Sequence, residues 1–164
     1  MAITLCEMGR LHDAIGELEL AVASSSSPRF QAYLGYAYAK AGRRDDARRT
    51  LKHLEARRQK QYVSSFGIAL IYDALGEKDA AIAEGKRAME LLPESVDAFE
   101  GPGVTQSLAE IYAIVGEQEK AIDLLDGLLA RPSPVTVAML KLVPIWDPLR
   151  SNPRFIALLK KYGG

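Results

Sequence analysis

One cysteine (Cys6) and two histidines (His12, His53) are all that the 164-residue chain holds of the side chains that usually build disulfides and metal centres. A lone cysteine excludes an internal disulfide framework and suits a reducing compartment. Neither histidine has a Cys, Asp or Glu partner at a recognised metal-ligand spacing. His12 lies near a helix start and His53 within a basic helix, so both read as surface histidines. Cys6 has no histidine positioned to activate it, and a small buried apolar role fits it better than a nucleophilic one. No Gly-rich phosphate loop and no nucleophile elbow occur, and Gly101-Pro102-Gly103 is too short to cradle a phosphate. The expectation is a protein that is not an enzyme and carries neither cofactor nor metal.

Charge of one sign is missing too. Lys plus Arg number 21 and Asp plus Glu number 21, so no global field draws the chain to nucleic acid or an acidic membrane. No apolar run approaches the length of a bilayer span. The opening MAITLCEMGR lacks the basic region followed by an apolar stretch that a secretory signal requires. These absences favour a cytoplasmic location without membrane partners. Aromatic residues are modest at 7%, but hydrophobic residues at 48% are ample for a helical core.

What is present is periodic. Gly9, Gly42, Gly76 and Gly116 are separated by 33, 34 and 40 residues. Five residues after each glycine stands an alanine (Ala14, Ala47, Ala81, Ala121), and four before each stands Leu5, Tyr38, Tyr72 or Tyr112. Leu34-Gly35, Ile68-Ala69 and Leu108-Ala109 keep the same step. Recurrence near 34 residues marks a stack of helical hairpins. Each position has a physical reason. The glycine takes the left-handed conformation that ends the first helix and turns the chain. The alanine lets the second helix lie close to the first. The tyrosine fills the seam and keeps a hydroxyl for a polar partner.

The stretch Ile68–Pro93 shows the grammar most clearly: two short amphipathic helices about Gly76, the second ended by Pro93. In chain order the copies run over about 1–27, 28–60, 61–94 and 102–133, followed by a C-terminal cap over 134–164. The first copy holds only the end of its first helix before a second helix at His12–Val22. Either the chain opens on a trimmed cap or Met1 marks the edge of a fragment; the uncovered half-hairpin favours the fragment. Ser24–Ser27 is a polar connector, and Pro28 suits the first turn of the next helix. The helix of the second copy that carries Arg43, Arg44, Arg48, Arg49, Lys52, Arg57 and Arg58 is basic. It reads either as a nucleic-acid surface or as a solvated outer helix with Asp–Arg pairs at helical spacing. The absence of interleaved aromatic stacking platforms favours the second. Glu94–Gly101 exceeds the period by six residues and reads as a connector or a contact loop. A helix is expected at Val135–Leu142. Beyond it, Pro144, Pro148 and Pro153 impose a turn around Trp146–Arg150 and a short helix at Pro153–Lys161. Trp146, Leu149, Phe155 and Leu159 then cover the open end of the stack.

The repeat resembles the tetratricopeptide (TPR) family. Leu34-Gly35, Tyr38, Gly42, Ala47 and Leu51 match its pattern in the second copy; Tyr72, Gly76, Ala81, Ala88 and Pro93 match in the third. Gln31, Ser65 and Thr105 replace the family's early Trp, and Gly85 stands where it has a large apolar residue. The likeness spans about Met1–Ser133 and implies an all-α, right-handed α-solenoid of about four stacked helix-turn-helix hairpins with a C-terminal capping helix. The segment IWDPLRSNPRF resembles the close of bacterial proteins whose C-terminal TPR array follows a kinase, cyclase or DNA-binding effector. It implies the module of a larger bacterial signalling protein.

In that family the first helix of each hairpin lines a concave groove. The resemblance implies a partner-binding groove of Tyr36, Lys40, Phe66, Leu70, Asp73, Gln106 and Glu110, with Arg29, Ala32, Val63 and Ile114 beside them. The Lys, Arg and Asn set of carboxylate-gripping relatives is not found there. An apolar centre with polar edges suits an amphipathic helix or an extended peptide, although Phe66 and Leu70 also read as packing between hairpins. The leading expectation is therefore a protein–protein interaction scaffold. The second is a self-assembly module, a homo-oligomer stacked through the incomplete N-terminal repeat.

Overall fold

The hairpin turn is decided within about six residues, and it recurs four times. In the computed structural model, which describes residues 2–97 and 100–163, Gly9, Gly42, Gly76 and Gly116 have φ of 74°, 75°, 81° and 88°. No other described residue has a positive φ. Gly9, Gly42 and Gly76 sit two places past the last residue of a helix, and Gly116 one place past. The N–H of the residue after it donates to the carbonyl of the Leu or Tyr four places before it. These bonds, Arg10 to Leu5, Arg43 to Tyr38, Glu77 to Tyr72 and Glu117 to Tyr112, measure 2.9, 2.9, 2.8 and 2.9 Å. This is the Schellman closure, which satisfies carbonyls a helix end would otherwise leave unpaired. The next helix starts at once: the N–H groups of Ala14, Ala47, Ala81 and Ala121 donate to the carbonyls of Arg10, Arg43, Glu77 and Glu117, each at 3.1 Å. All four alanine side chains are fully buried.

Among the described residues the regular structure is all helix, without strands. The helices are α1 (Ala2–Glu7), α2 (Leu11–Ser24), α3 (Pro28–Lys40), α4 (Arg44–Arg58), α5 (Ser65–Ala74), α6 (Lys78–Leu91), α7 (Gly101–Val115), α8 (Gln118–Leu129), α9 (Val137–Leu142) and α10 (Pro153–Gly163), with a 3-10 turn at Pro144–Leu149. Consecutive helices pack as pairs, α1 on α2, α3 on α4 and α7 on α8. Prolines set several boundaries. Pro28 opens α3 and Pro102 lies in the first turn of α7, where a missing N–H costs nothing. Val137, not Val135, begins α9, because Thr136 caps it by accepting from the Met139 N–H.

The chain forms two compact units, 1–81 and 82–164, whose boundary falls inside α6. In the first, α3 packs on α2, α4 and α5. Gly35 makes this approach close: a Cβ there would lie 2.6 Å from Ile71 Cδ1 and 2.9 Å from Thr50 Cγ2. Tyr38 and Tyr72 are only half-buried and reach outward, donating from their hydroxyls to Glu19 at 2.8 Å and Glu55 at 3.1 Å. Each thus finds the polar partner for its hydroxyl that the repeat pattern leads one to expect. Tyr112, in the second unit, is buried.

The second unit packs α7 on α8 and on the 3-10 turn, with α10 against α8 and α9. Trp146, Leu149 and Phe155 have no exposed surface and anchor the core of this unit. Leu158, three residues after Phe155, is the further buried residue of α10, and the expected Leu159 is partly buried and packs against the same core. Gly85 shows why bulk is missing from its position. An added Cβ would meet Ile111 Cδ1 and Leu108 Cδ1, each at 2.7 Å, so side chains of α7 already fill that space. In the extra segment before α7, the Glu94 carboxylate accepts from Thr105 Oγ1 at 2.6 Å and pairs with Arg131 at 2.5 Å. The Thr105 bond, with Arg131 assisting, holds Glu94 below the ordinary carboxylate range. Residues 98 and 99 of this segment lie outside the described residues.

Candidate functional site

The residues expected to line a groove divide between the two units. In the first, the α3 residues Arg29 and Ala32 meet Val63 and the α5 residue Phe66 in one recess of about 230 Å³. Ser27, Pro28, Tyr33, Tyr62, Ser64 and Gly67 complete its lining. Pro28 begins α3, and Ser64 caps α5 by accepting from the Gly67 N–H, so both first turns present their residues at the recess. The floor is tight: a Cβ on Gly67 would lie 2.8 Å from that of Ala32. Phe66 is partly exposed, whereas Tyr36 and Leu70 are buried at 7% and 8% exposure and act chiefly in packing.

Farther along the same helices lies a polar region. Lys40 Nζ stands 5.9 Å from the centre of the Tyr36 ring, within cation–π range. Asp73 is half-buried, and that burial raises its pKa against the opposing pull of Lys78 and Lys40. In the second unit, Gln106 Nε2 donates to Glu110 Oε1 at 2.8 Å, one turn apart on α7. Burial pushes the Glu110 carboxyl up, and the Gln106 bond only partly offsets it. Ile114 follows one turn later and is partly exposed.

The basic helix α4 is largely engaged. Arg43 and Arg49 both pair with Asp46, the former at 2.6 Å. Arg48 reaches Glu77 at 2.6 Å, and Arg44 donates to the Leu75 carbonyl at the end of α5, a favourable place for a cation. Arg57 donates to the Ser26 carbonyl at 2.5 Å. These side chains tie α4 to the neighbouring hairpin and to the preceding connector. Cys6 is buried, and His12 and His53 are exposed. The Tyr38 phenol, beside Glu19, is pushed up to about 12 by burial and by its bond to that carboxylate.

Tyr33 and Tyr62 were not among the expected site residues. Tyr33 had a signal, since it stands one helical turn from Arg29; its hydroxyl accepts from Arg29 Nε at 3.0 Å. Tyr62, in the connector, had none. Comparison with models of protein families, with curated proteins and with solved structures finds no match to the chain. No helix among the described residues is long and apolar enough to cross a membrane.

Proposed function

We propose that the protein is a helical-repeat interaction scaffold of the TPR type, an α-solenoid whose first helices hold another polypeptide, working as a module of a larger bacterial signalling protein. The observation that carries this reading is the hairpin turn, repeated four times with the same glycine conformation, the same Schellman bond and the same buried alanine. Repetition of one hairpin is how such proteins enlarge a surface without enlarging a core. The reading assigns the chain no catalysis and no cofactor. In the first unit the partner would meet the partly exposed Phe66 and the polar Lys40 and Asp73.

Affinity capture from a cell extract, with the native protein and with Phe66→Ala side by side, tests it. A polypeptide retained by the first and lost from the second, with helical circular dichroism unchanged, is the expected result. Equal loss of folding and capture would count against the surface. Tyr36→Ala is a poor partner variant because Tyr36 is buried.

Self-assembly is the second reading. Met8 and Leu20 of the first hairpin are 65% and 74% exposed, an apolar edge that another copy would cover.

A further inference from the structure

The recess between the first turns of α3 and α5 has a composition that narrows what it can take. At about 230 Å³ it is smaller than the roughly 300–1,000 Å³ of pockets that enclose whole small molecules. It is larger than the ~150 Å³ void that accommodates benzene. That is the scale of one bulky apolar side chain. Pro28, Ala32, Val63 and Phe66 supply apolar walls, and Tyr62, 87% exposed, stands at the rim with a ring to lay over an occupant.

The charge at the mouth is equally defined. Arg10, Arg43, Arg48 and Arg49 of this unit all meet carboxylates. Arg29 is held instead by a neutral phenol: its Nε donates to the Tyr33 hydroxyl, and its Cζ lies 5.5 Å from the centre of that ring. Among the described residues no carboxylate neutralises it. The contact with Tyr33 fixes the guanidinium plane, and its terminal nitrogens form a fork suited to a carboxylate. The dipole of the 13-residue helix α3, which begins at Pro28, adds positive potential beside it.

We infer that this recess takes one large apolar side chain of a peptide segment that carries an Asp or Glu next to that anchor, with Arg29 reading the carboxylate. The inference rests on the scaffold reading and names the chemistry of its partner. Apolar burial supplies most of the affinity, and the rim charge supplies selection and salt dependence.

Selection of linear peptides from a phage-displayed random library, followed by fluorescence anisotropy on synthetic versions with amidated C-termini, provides the test. Enriched sequences should place Leu, Met, Phe or Trp beside Asp or Glu. Arg29→Ala should weaken binding by ~3- to 10-fold, an effect that fades at high salt. Phe66→Ala should weaken it by roughly 10-fold or more. Arg29→Glu, at an exposed position that leaves the fold intact by thermal melting, should shift selection towards Lys- or Arg-flanked anchors. Enriched peptides that bind equally well to Arg29→Glu and Phe66→Ala would overturn this inference and leave the scaffold reading standing. Enrichment of nothing would overturn both.

Discussion

At the scale of single residues, the four turn glycines and the helical glycines have opposite needs. Gly76 has open space around it but a φ of 81°, so Gly76→Ala is strained whatever room it finds. The expected cost is roughly 1–2 kcal/mol. Gly16 lies inside α2 with a right-handed backbone and nothing near a new Cβ. Gly16→Ala should therefore stabilise by about 0.5–1 kcal/mol through the unfolded chain. Urea denaturation of the two variants checks the pair, and shifts of the same sign would contradict the assignment. The turn was legible from sequence because its chemistry is local. The acceptors of the Tyr38 and Tyr72 hydroxyls were not, since Glu19 and Glu55 lie 19 and 17 residues away.

At the scale of elements, the C-terminal segment is held by two kinds of contact. Trp146 is fully buried, yet its indole N–H finds no acceptor among the described residues. Trp146→Ala should cost ~3–5 kcal/mol through the void it leaves. Trp146→Phe should cost much less, less than about 1.5 kcal/mol, because it keeps most of the packing and removes the unsatisfied donor. Denaturant midpoints read by circular dichroism separate them, and equal losses would mean that the indole nitrogen is satisfied.

The second contact is a row of charges between α10 and α8. Arg154 pairs with Glu119 and Asp123, and Lys161 pairs with Asp126 at 2.8 Å. The Lys161 bond, then that of Tyr162, holds Asp126 below the ordinary carboxylate range; Asn152 and then Arg154 do the same for Glu119. A carboxylate depressed in the folded state stabilises above its unfolded pKa and loses that contribution as the pH falls through its folded value. Asp126→Asn should thus destabilise at neutral pH, by a small amount because the site is exposed, and the difference from the native protein should close as the pH falls below the ordinary aspartate range. A gap that persists in acid would assign the effect to something other than the Lys161 pair.

At the scale of the whole molecule, the scaffold and self-assembly readings part on concentration. A scaffold that acts alone keeps one molar mass in multi-angle light scattering as concentration rises. A mass that grows with concentration, and that Leu20→Glu returns to the monomer, would favour association through the first hairpin. The native protein is expected to remain monomeric, and growth insensitive to Leu20→Glu would place association elsewhere.

The sequence by itself determined the repeating hairpin: where helices stop, which residue turns the chain, and which small side chain lies beneath the second helix. Those choices are made by backbone sterics and hydrogen bonds within about six residues, so a one-dimensional pattern carries them whole. Tertiary structure alone decided which candidate site residues meet. Phe66 joins Arg29 in a recess while Leu70, one turn on, is consumed by packing. It also decided that Gly85 makes room for Leu108 and Ile111, and that Leu158 is buried more deeply than Leu159. The reason is that burial is set by neighbours distant in sequence, whose approach depends on how helices settle against each other.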